Sequence, residues 1–181
     1  MMELQIDSRE HKKELARIKK QLDGLGVKYF ISKLYVGDYM SLNNPRLVID
    51  RKKDLLELCG NVTQQHERFR DELIRAKEHG IKIIVLCEHG EDIQELTDVL
   101  FWTNPRLKEM DWKMVDGHPQ KVQKYPNATT GEQLYKSLCT IAERYGVEFR
   151  FCTKNKTGEE IAKILGGGEN NVQQQTSDRD S

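Results

Sequence analysis

Apolar residues recur along this chain with a period that switches between two and about 3.6, and each switch marks a change between strand and helix. Leu4-Gln5-Ile6 reads as a short strand ending at Asp7. His11 to Leu22 reads as a helix, because Leu15, Ile18 and Leu22 fall at i, i+3 and i+7, and Gly24 and Gly26 stop it. Val27 to Leu34 alternates as a strand does. Gly37 to Lys52 reads as two strands joined by turn chemistry at Asn43-Asn44-Pro45. Asp54 to Cys59 and Thr63 or Gln64 to His79 are the next helices, the longer with Phe69, Leu73 and Ala76 inward. Ile81 to Cys87 is almost wholly apolar, the pattern of a central strand covered on both faces.

Ile93 to Phe101 reads as helical. A helix capped by Thr129 or Thr130 runs to Tyr145, a strand covers Val147 to Cys152, and Thr157 caps a helix over Gly158 to Leu165. From Gly166 the sequence turns polar to Ser181, and a disordered tail is expected over 166–181. Trp102 to Ala128 breaks the rhythm: it holds Pro105, Pro119 and Pro126, both tryptophans, five basic residues and three acids. It is expected to be a long irregular insertion, with Trp102 and Trp112 packing it onto the domain. The alternative is a DNA-contacting arm, in which the aromatic rings stack on unpaired bases and the lysines hold phosphates. Alternating strands and helices predict an α/β fold, a central mixed sheet flanked by helices, in a single domain over 1–165.

Composition narrows the function more by exclusion than by assignment. Among 181 residues, 29 are Lys or Arg and 29 are Asp or Glu, so a tail-driven polycation is excluded and any nucleic-acid contact must come from local patches. No apolar run reaches membrane-spanning length and the N-terminus has no signal-peptide pattern, which predicts a cytoplasmic protein, nuclear if the cell has a nucleus. Cys59, Cys87, Cys139 and Cys152 form no CxxC pair and no zinc spacing, so buried free thiols are expected. The five histidines are scattered and carry no assignment.

The chemistry gathers at strand ends. Period two places Asp50 and Lys52 on one face of their strand and Arg51 on the other. If the first strand lies beside the hairpin, Asp7, Glu10, Asp38 and Asp50 converge with Lys52. Clustered carboxylates repel one another, and a divalent cation relieves that repulsion. Hard oxygen ligands suit Mg2+ or Mn2+. Around such an ion the expected reaction is phosphodiester hydrolysis, with Lys52 beside the attacking hydroxide or the phosphate oxyanion. Arg9 and Arg51 either pair with these acids or grip a neighbouring phosphate.

Ile6-Asp7-Ser8-Arg9-Glu10, Gly37-Asp38-Tyr39 and Ile49-Asp50-Arg51-Lys52 together resemble the nuclease domain of the XPF family of structure-specific endonucleases, a branch of the restriction-endonuclease-like PD-(D/E)xK superfamily. Glu67 to Leu73, Ile83 to Glu88 and Arg144-Tyr145-Gly146-Val147 are similar to further family segments, so the resemblance covers residues 3 to about 165 apart from the insertion. It implies metal-binding acids Asp7, Glu10, Asp38 and Asp50, with Asp38, Asp50, Arg51 and Lys52 as the catalytic set. Arg9, Arg68, Arg70, Lys113, Lys121 and Lys124 are the expected nucleic-acid contacts. The resemblance further implies a DNA endonuclease of repair, recombination or replication, acting on branched or single-strand-containing DNA. Asp50 stands where the family more often has Glu, one methylene longer. No helicase or tandem helix-hairpin-helix module flanks the nuclease segment, which leaves substrate choice and a homodimer open. A non-catalytic DNA- or partner-binding domain on the same fold is the alternative, and an RNA-directed nuclease or a nicking resolvase is a third.

Overall fold

The computed structural model describes residues 2–167; of the tail expected over 166–181, Gly166 ends the last helix and residues 168–181 lie outside the described residues. The strands are β1 (Glu3–Ile6), β2 (Lys28–Ile31), β3 (Tyr39–Ser41), β4 (Asn44–Lys52), β5 (Lys82–Glu88), β6 (Met110–Val115), β7 (His118–Gln123) and β8 (Glu148–Cys152). The helices are α1 (Lys12–Gly24), α2 (Leu55–Thr63), α3 (His66–Glu78), α4 (Gly131–Tyr145) and α5 (Thr157–Gly166). Six strands form the main sheet in the order β2-β1-β3-β4-β5-β8, and β3 alone runs antiparallel to its neighbours. This is a mixed α/β sheet with helices on both faces.

The period of two along β5 divides the core. Ile83, Val85 and Cys87 join Val48 under α2, α3 and α4, packed on Leu55, Phe69, Leu73 and Leu134. Ile84 and Leu86 join Ile49, Leu4 and Ile6 on the opposite face, packed on Ile18 and Leu22 of α1 and Ile161 of α5. The same alternation carries on past the apolar residues of β4. Asp50 and Lys52 continue the Val48 face toward α2 and α3, while Arg51 continues the Ile49 face toward α1. Each face therefore receives its own charged group at the end of β4.

The turn between β3 and β4 falls at Leu42-Asn43, one residue ahead of the expected position, and Pro45 lies inside β4. The proline is tolerated because β5 pairs with β4 only from Leu47 onward, so no ladder bond is asked of its nitrogen. At the start of β3 the chain is tightly confined. Gly37 has φ 71°, and a Cβ there would lie 3.0 Å from the Ile49 carbonyl oxygen and 3.2 Å from the Val48 side chain. That glycine lets Asp38 bridge two strands: its N–H donates to Ile49 O at 2.8 Å, and its carbonyl accepts from Asp7 N–H at 2.8 Å.

Two expectations need correction. The segment read as helical from Ile93 is a short 3-10 helix over Leu96–Phe101, whose Asp98 side chain caps it by accepting from Glu95 N–H at 3.0 Å. The segment 102–128 is not irregular. After a 3-10 turn at Pro105–Lys108 it forms the antiparallel hairpin β6-β7, turned at Asp116 (φ 50°) and Gly117 (φ 81°). An Asp-Gly pair with both residues at positive φ matches the twist of the strands it joins, and that pair after the alternating Met110, Trp112 and Met114 was the available signal. Trp102 is buried as expected, whereas Trp112 stands on the hairpin with 68% of its surface exposed.

Candidate active site

The loop entering β3 and the end of β4 line a cleft of about 610 Å3 with the start of α2 and one side of α3. Asp38, Asp50 and Lys52 form its floor. Asp50 and Lys52 are nearly buried, with 5% and 8% of their surfaces exposed. The Lys52 ammonium straddles the carboxylate, donating to Asp50 Oδ1 at 2.9 Å and lying 2.8 Å from Oδ2. Only Oδ1 receives it at a hydrogen-bonding angle, so Asp50 Oδ2 is a buried acceptor with a charge contact and no donor. The ammonium also lies 5.4 Å from the centre of the Phe69 ring, a cation–π contact from α3. Burial alone would lower the Lys52 pKa, but Asp50 and then Asp38 hold it above the ordinary lysine value. Asp38 Oδ2 accepts from Arg51 N–H at 2.8 Å. Burial, then the charges of Asp50 and Glu10, push the Asp38 carboxyl well above the usual carboxylate range.

On the other face of the sheet the geometry is one of commitment rather than vacancy. Arg51 holds Glu10 in a two-pronged pair, Nη2 to Oε1 at 2.7 Å and Nε to Oε2 at 3.1 Å. Tyr39 Oη donates to the same Oε2 at 3.0 Å. Arg51 Nη1 lies 3.3 Å from Glu88 Oε1, which also receives Arg17 Nη2 of α1 and, at 2.9 Å, Thr157 Oγ1 of α5. Burial opposes ionisation of Glu10, yet the Arg51 hydrogen bonds and charge keep its carboxyl below the ordinary range. Glu88 was given no role from the sequence, although it ends the most apolar strand and shares the parity of Ile84 and Leu86. An acid at that position must find a cation on the α1 side, and that was the signal.

Asp7 is fully buried and its lone pairs are spoken for. Oδ1 accepts from the Arg9 N–H at 2.7 Å and Nε at 2.8 Å, and Oδ2 accepts from Arg9 Nη2 at 2.7 Å and Leu34 N–H at 2.8 Å. Burial would raise its pKa, but these donors hold it below the usual carboxylate value. This arrangement ties the end of β1 to the chain leaving β2. Asp7→Asn keeps the shape and removes the charge, leaving one of its two acceptor oxygens replaced by a donor. The expected loss is about 2–4 kcal/mol of folding stability, measured by chemical denaturation. Because the Asp7 pKa is depressed in the folded chain, its contribution is complete above the ordinary carboxylate pKa and fades as pH falls through the lower folded value.

The remaining expected residues are dispersed. Arg9 and Arg68 line the cleft. Arg70 lies instead along a separate groove between α3 and α4. Lys113 and Lys121 are on the β6-β7 hairpin, and Lys124 lies at its base. The structure thus brings Asp38, Asp50 and Lys52 to one cleft with Glu10 and Arg51 at its edge, and does not bring Asp7 to it. Among the described residues, no three acids, histidines or cysteines gather closely enough to ligate one ion without other ligands.

This mixed sheet with helices on both faces is a fold shared with solved structures. The chain is similar in structure to XPF from Aeropyrum pernix, with a TM-score of 0.61 at 16% identity over 96% of this chain and 69% of that one. It is equally similar to XPF from Aeropyrum pernix in a complex with DNA, with a TM-score of 0.62 at 16% identity over 94% and 66% of the respective chains. The chain therefore spans about two thirds of the length of these proteins. No curated protein matches it in sequence. Residues 6–164 match the ERCC4 domain, and the chain belongs to the ERCC4-domain family.

Proposed function

We propose that this chain is a divalent-metal-dependent DNA endonuclease whose reacting centre is the cleft floored by Asp38, Asp50 and Lys52. The observation that carries this reading is the pairing of two partly or wholly buried carboxylates with a buried ammonium at the open end of β4. The DNA complex of a similar fold supports DNA as the substrate class, and branched or single-strand-containing DNA remains the specific expectation.

The donor set fits Mg2+ or Mn2+. Asp50 Oδ2 is a buried oxygen whose close partner is the Lys52 ammonium at 2.8 Å, and burial and the charges of Asp50 and Glu10 push the Asp38 carboxyl well above the usual range. Asp38 and Asp50 share the single Lys52 ammonium on the cleft floor, and a divalent cation would relieve the repulsion between them. Two carboxylates completed by waters and a phosphate oxygen are a sufficient magnesium site. When bound, such an ion makes water acidic and withdraws charge from the phosphate. Asp38 and Asp50 are the residues that would hold it. Glu10 is engaged by Arg51 and Tyr39, and Asp7 by Arg9 and Leu34, so both belong to the frame in this reading.

Lys52 stays protonated at neutral pH and aims its ammonium into the cleft beside Asp50. It is placed to hydrogen-bond the attacking hydroxide and to neutralise charge as the phosphorane forms. Arg51 acts as a positioning residue. Its guanidinium is anchored on Glu10 and Glu88, and its backbone N–H fixes the Asp38 carboxylate. Arg9 and Arg68, on the wall of the cleft, are suited to phosphates flanking the cut bond.

The test is cleavage of labelled duplex, single-stranded, flap and four-way-junction DNA with Mg2+ or Mn2+, and with EDTA as the control. Metal-dependent cutting of at least one substrate is expected. All four substrates left uncut with binding retained would turn the reading to a DNA-binding module on this fold.

A further inference from the structure

The β6-β7 hairpin has two unlike faces. Residues paired in register point the same way, so Met110, Trp112 and Met114 share a face with Gln123, Lys121 and Pro119. No carboxylate lies on it. Asp111, with Lys113, His118 and Gln120, falls on the other face. Every residue of the two strands is exposed or half-exposed, and Trp112 and Met114 each keep 68% of their surface open. An indole and two thioether chains left in water forgo the gain that burial of such side chains brings. Lys121 stands directly opposite Trp112. A flat aromatic plate with an ammonium one strand away offers a stacking surface and a phosphate contact together.

The base of the hairpin repeats the pattern. Tyr125 is flanked by Arg106 at 5.6 Å and Lys124 at 5.2 Å from its ring centre. Glu109 lies 3.8 Å from Lys124 and neutralises it only in part. Tyr125 and both cations line a groove of about 460 Å3 whose other wall is α2, through Leu56, Gly60 and Thr63. An adjacent side of α2 presents Glu57 and Asn61 to the catalytic cleft. One helix, about 10–12 Å across with its side chains, therefore separates the reacting centre from this second groove.

We infer that the hairpin face and the groove at its base form a single-stranded-DNA arm, which takes the unpaired part of the substrate as it leaves the cleft. The inference rests on the endonuclease reading for the identity of the substrate. Charge selects a nucleic acid over an apolar peptide here, because each exposed ring is accompanied by a cation and Trp112 shares its face with no acid.

The experiment uses the full chain in EDTA, where no cutting occurs, with fluorescein-labelled oligothymidylate and with a duplex of equal length. Trp102 is buried and Trp112 exposed, so quenching of indole emission by added oligonucleotide reports Trp112. Expected are quenching by the single strand, about tenfold weaker single-strand affinity in Trp112→Ala, and recovery of most of it in Trp112→Phe. Lys121→Ala is expected to flatten the salt dependence by about one phosphate contact. Gln120→Ala, on the opposite face, is the control and is expected to bind as the parent does. Unquenched emission together with unchanged affinity in Trp112→Ala overturns the inference. Cleavage is read separately with Mg2+: a chain that quenches on single strands but cuts nothing keeps the arm and loses the endonuclease reading.

Discussion

Lys52→Met is expected to lower the rate of DNA cleavage by about 100- to 1000-fold while leaving the chain folded and metal binding undiminished. Methionine preserves the apolar stem and deletes the ammonium, together with its cation–π contact to Phe69. In the parent chain that ammonium lies 2.8 Å from Asp50 Oδ2, and it opposes the charges of Asp38 and Asp50. Its removal takes away the one cation on the floor of the cleft among the described residues. Mg2+ or Mn2+, which would compete with it for Asp50, should then bind at least as tightly by calorimetry. Loss of turnover with metal affinity kept or raised is the signature of a group acting on the transition state. Asp50→Asn should instead lose both. Lys52→Arg is expected not to restore the rate, because a planar guanidinium does not fit a buried slot shaped for an ammonium over Phe69. A Lys52→Met chain that cuts at the parent rate would remove Lys52 from the chemistry.

The placement of this pair was the most legible part of the site. Alternation along Leu47 to Lys52 decides which charges share a face, because a strand has no freedom to do otherwise. The strand Ile81 to Cys87 was legible for the same reason, and its neighbours follow from covering both of its faces. What the sequence does not convey is which oxygen atoms are already engaged. Asp7 and Glu10 lie three residues apart and look equivalent in the linear motif. The backbone turns Asp7 toward the Leu34 N–H and turns Glu10 toward Arg51, so one is sealed and the other stands at the edge of the cleft. Glu88 was overlooked because its partners, Arg17, Arg51 and Thr157, come from three elements far apart in sequence. The hairpin was overlooked for a local reason: Pro119, Pro126 and the mixed charges outweighed the Asp116-Gly117 turn. Pro119 is accommodated at a position of a two-stranded ribbon where an edge strand needs no donor.

Glu88→Leu is expected to be the most destabilising substitution proposed here, by about 3–5 kcal/mol, read as a drop on the order of 10 °C in melting temperature. Glu88 is fully buried and gathers Arg17 of α1, Arg51 of β4 and Thr157 of α5 around one carboxylate oxygen. Its loss leaves the Arg51 guanidinium, itself buried, with Glu10 alone, and takes from Nη1, which has no hydrogen-bond acceptor even in the parent chain, its 3.3 Å charge contact. Leucine matches the apolar parity of Ile84 and Leu86, so a well-packed side chain replaces the acid and the penalty isolates the stranded cation. Glu88→Gln should fall between the two, since an amide oxygen still accepts from Thr157 but brings no charge. A frame role and a chemical role separate in the metal response. The Glu88 variants should bind Mg2+ or Mn2+ as the parent does at temperatures where they are folded, because neither Asp38 nor Asp50 touches Glu88. If Glu88→Leu melts with the parent, the buried arginine is compensated by solvent reaching Arg51 Nη1, and the network serves specificity of packing rather than stability. If metal affinity falls with melting unchanged, Glu88 reaches the cleft through Arg51 and its hold on the Asp38 carboxylate.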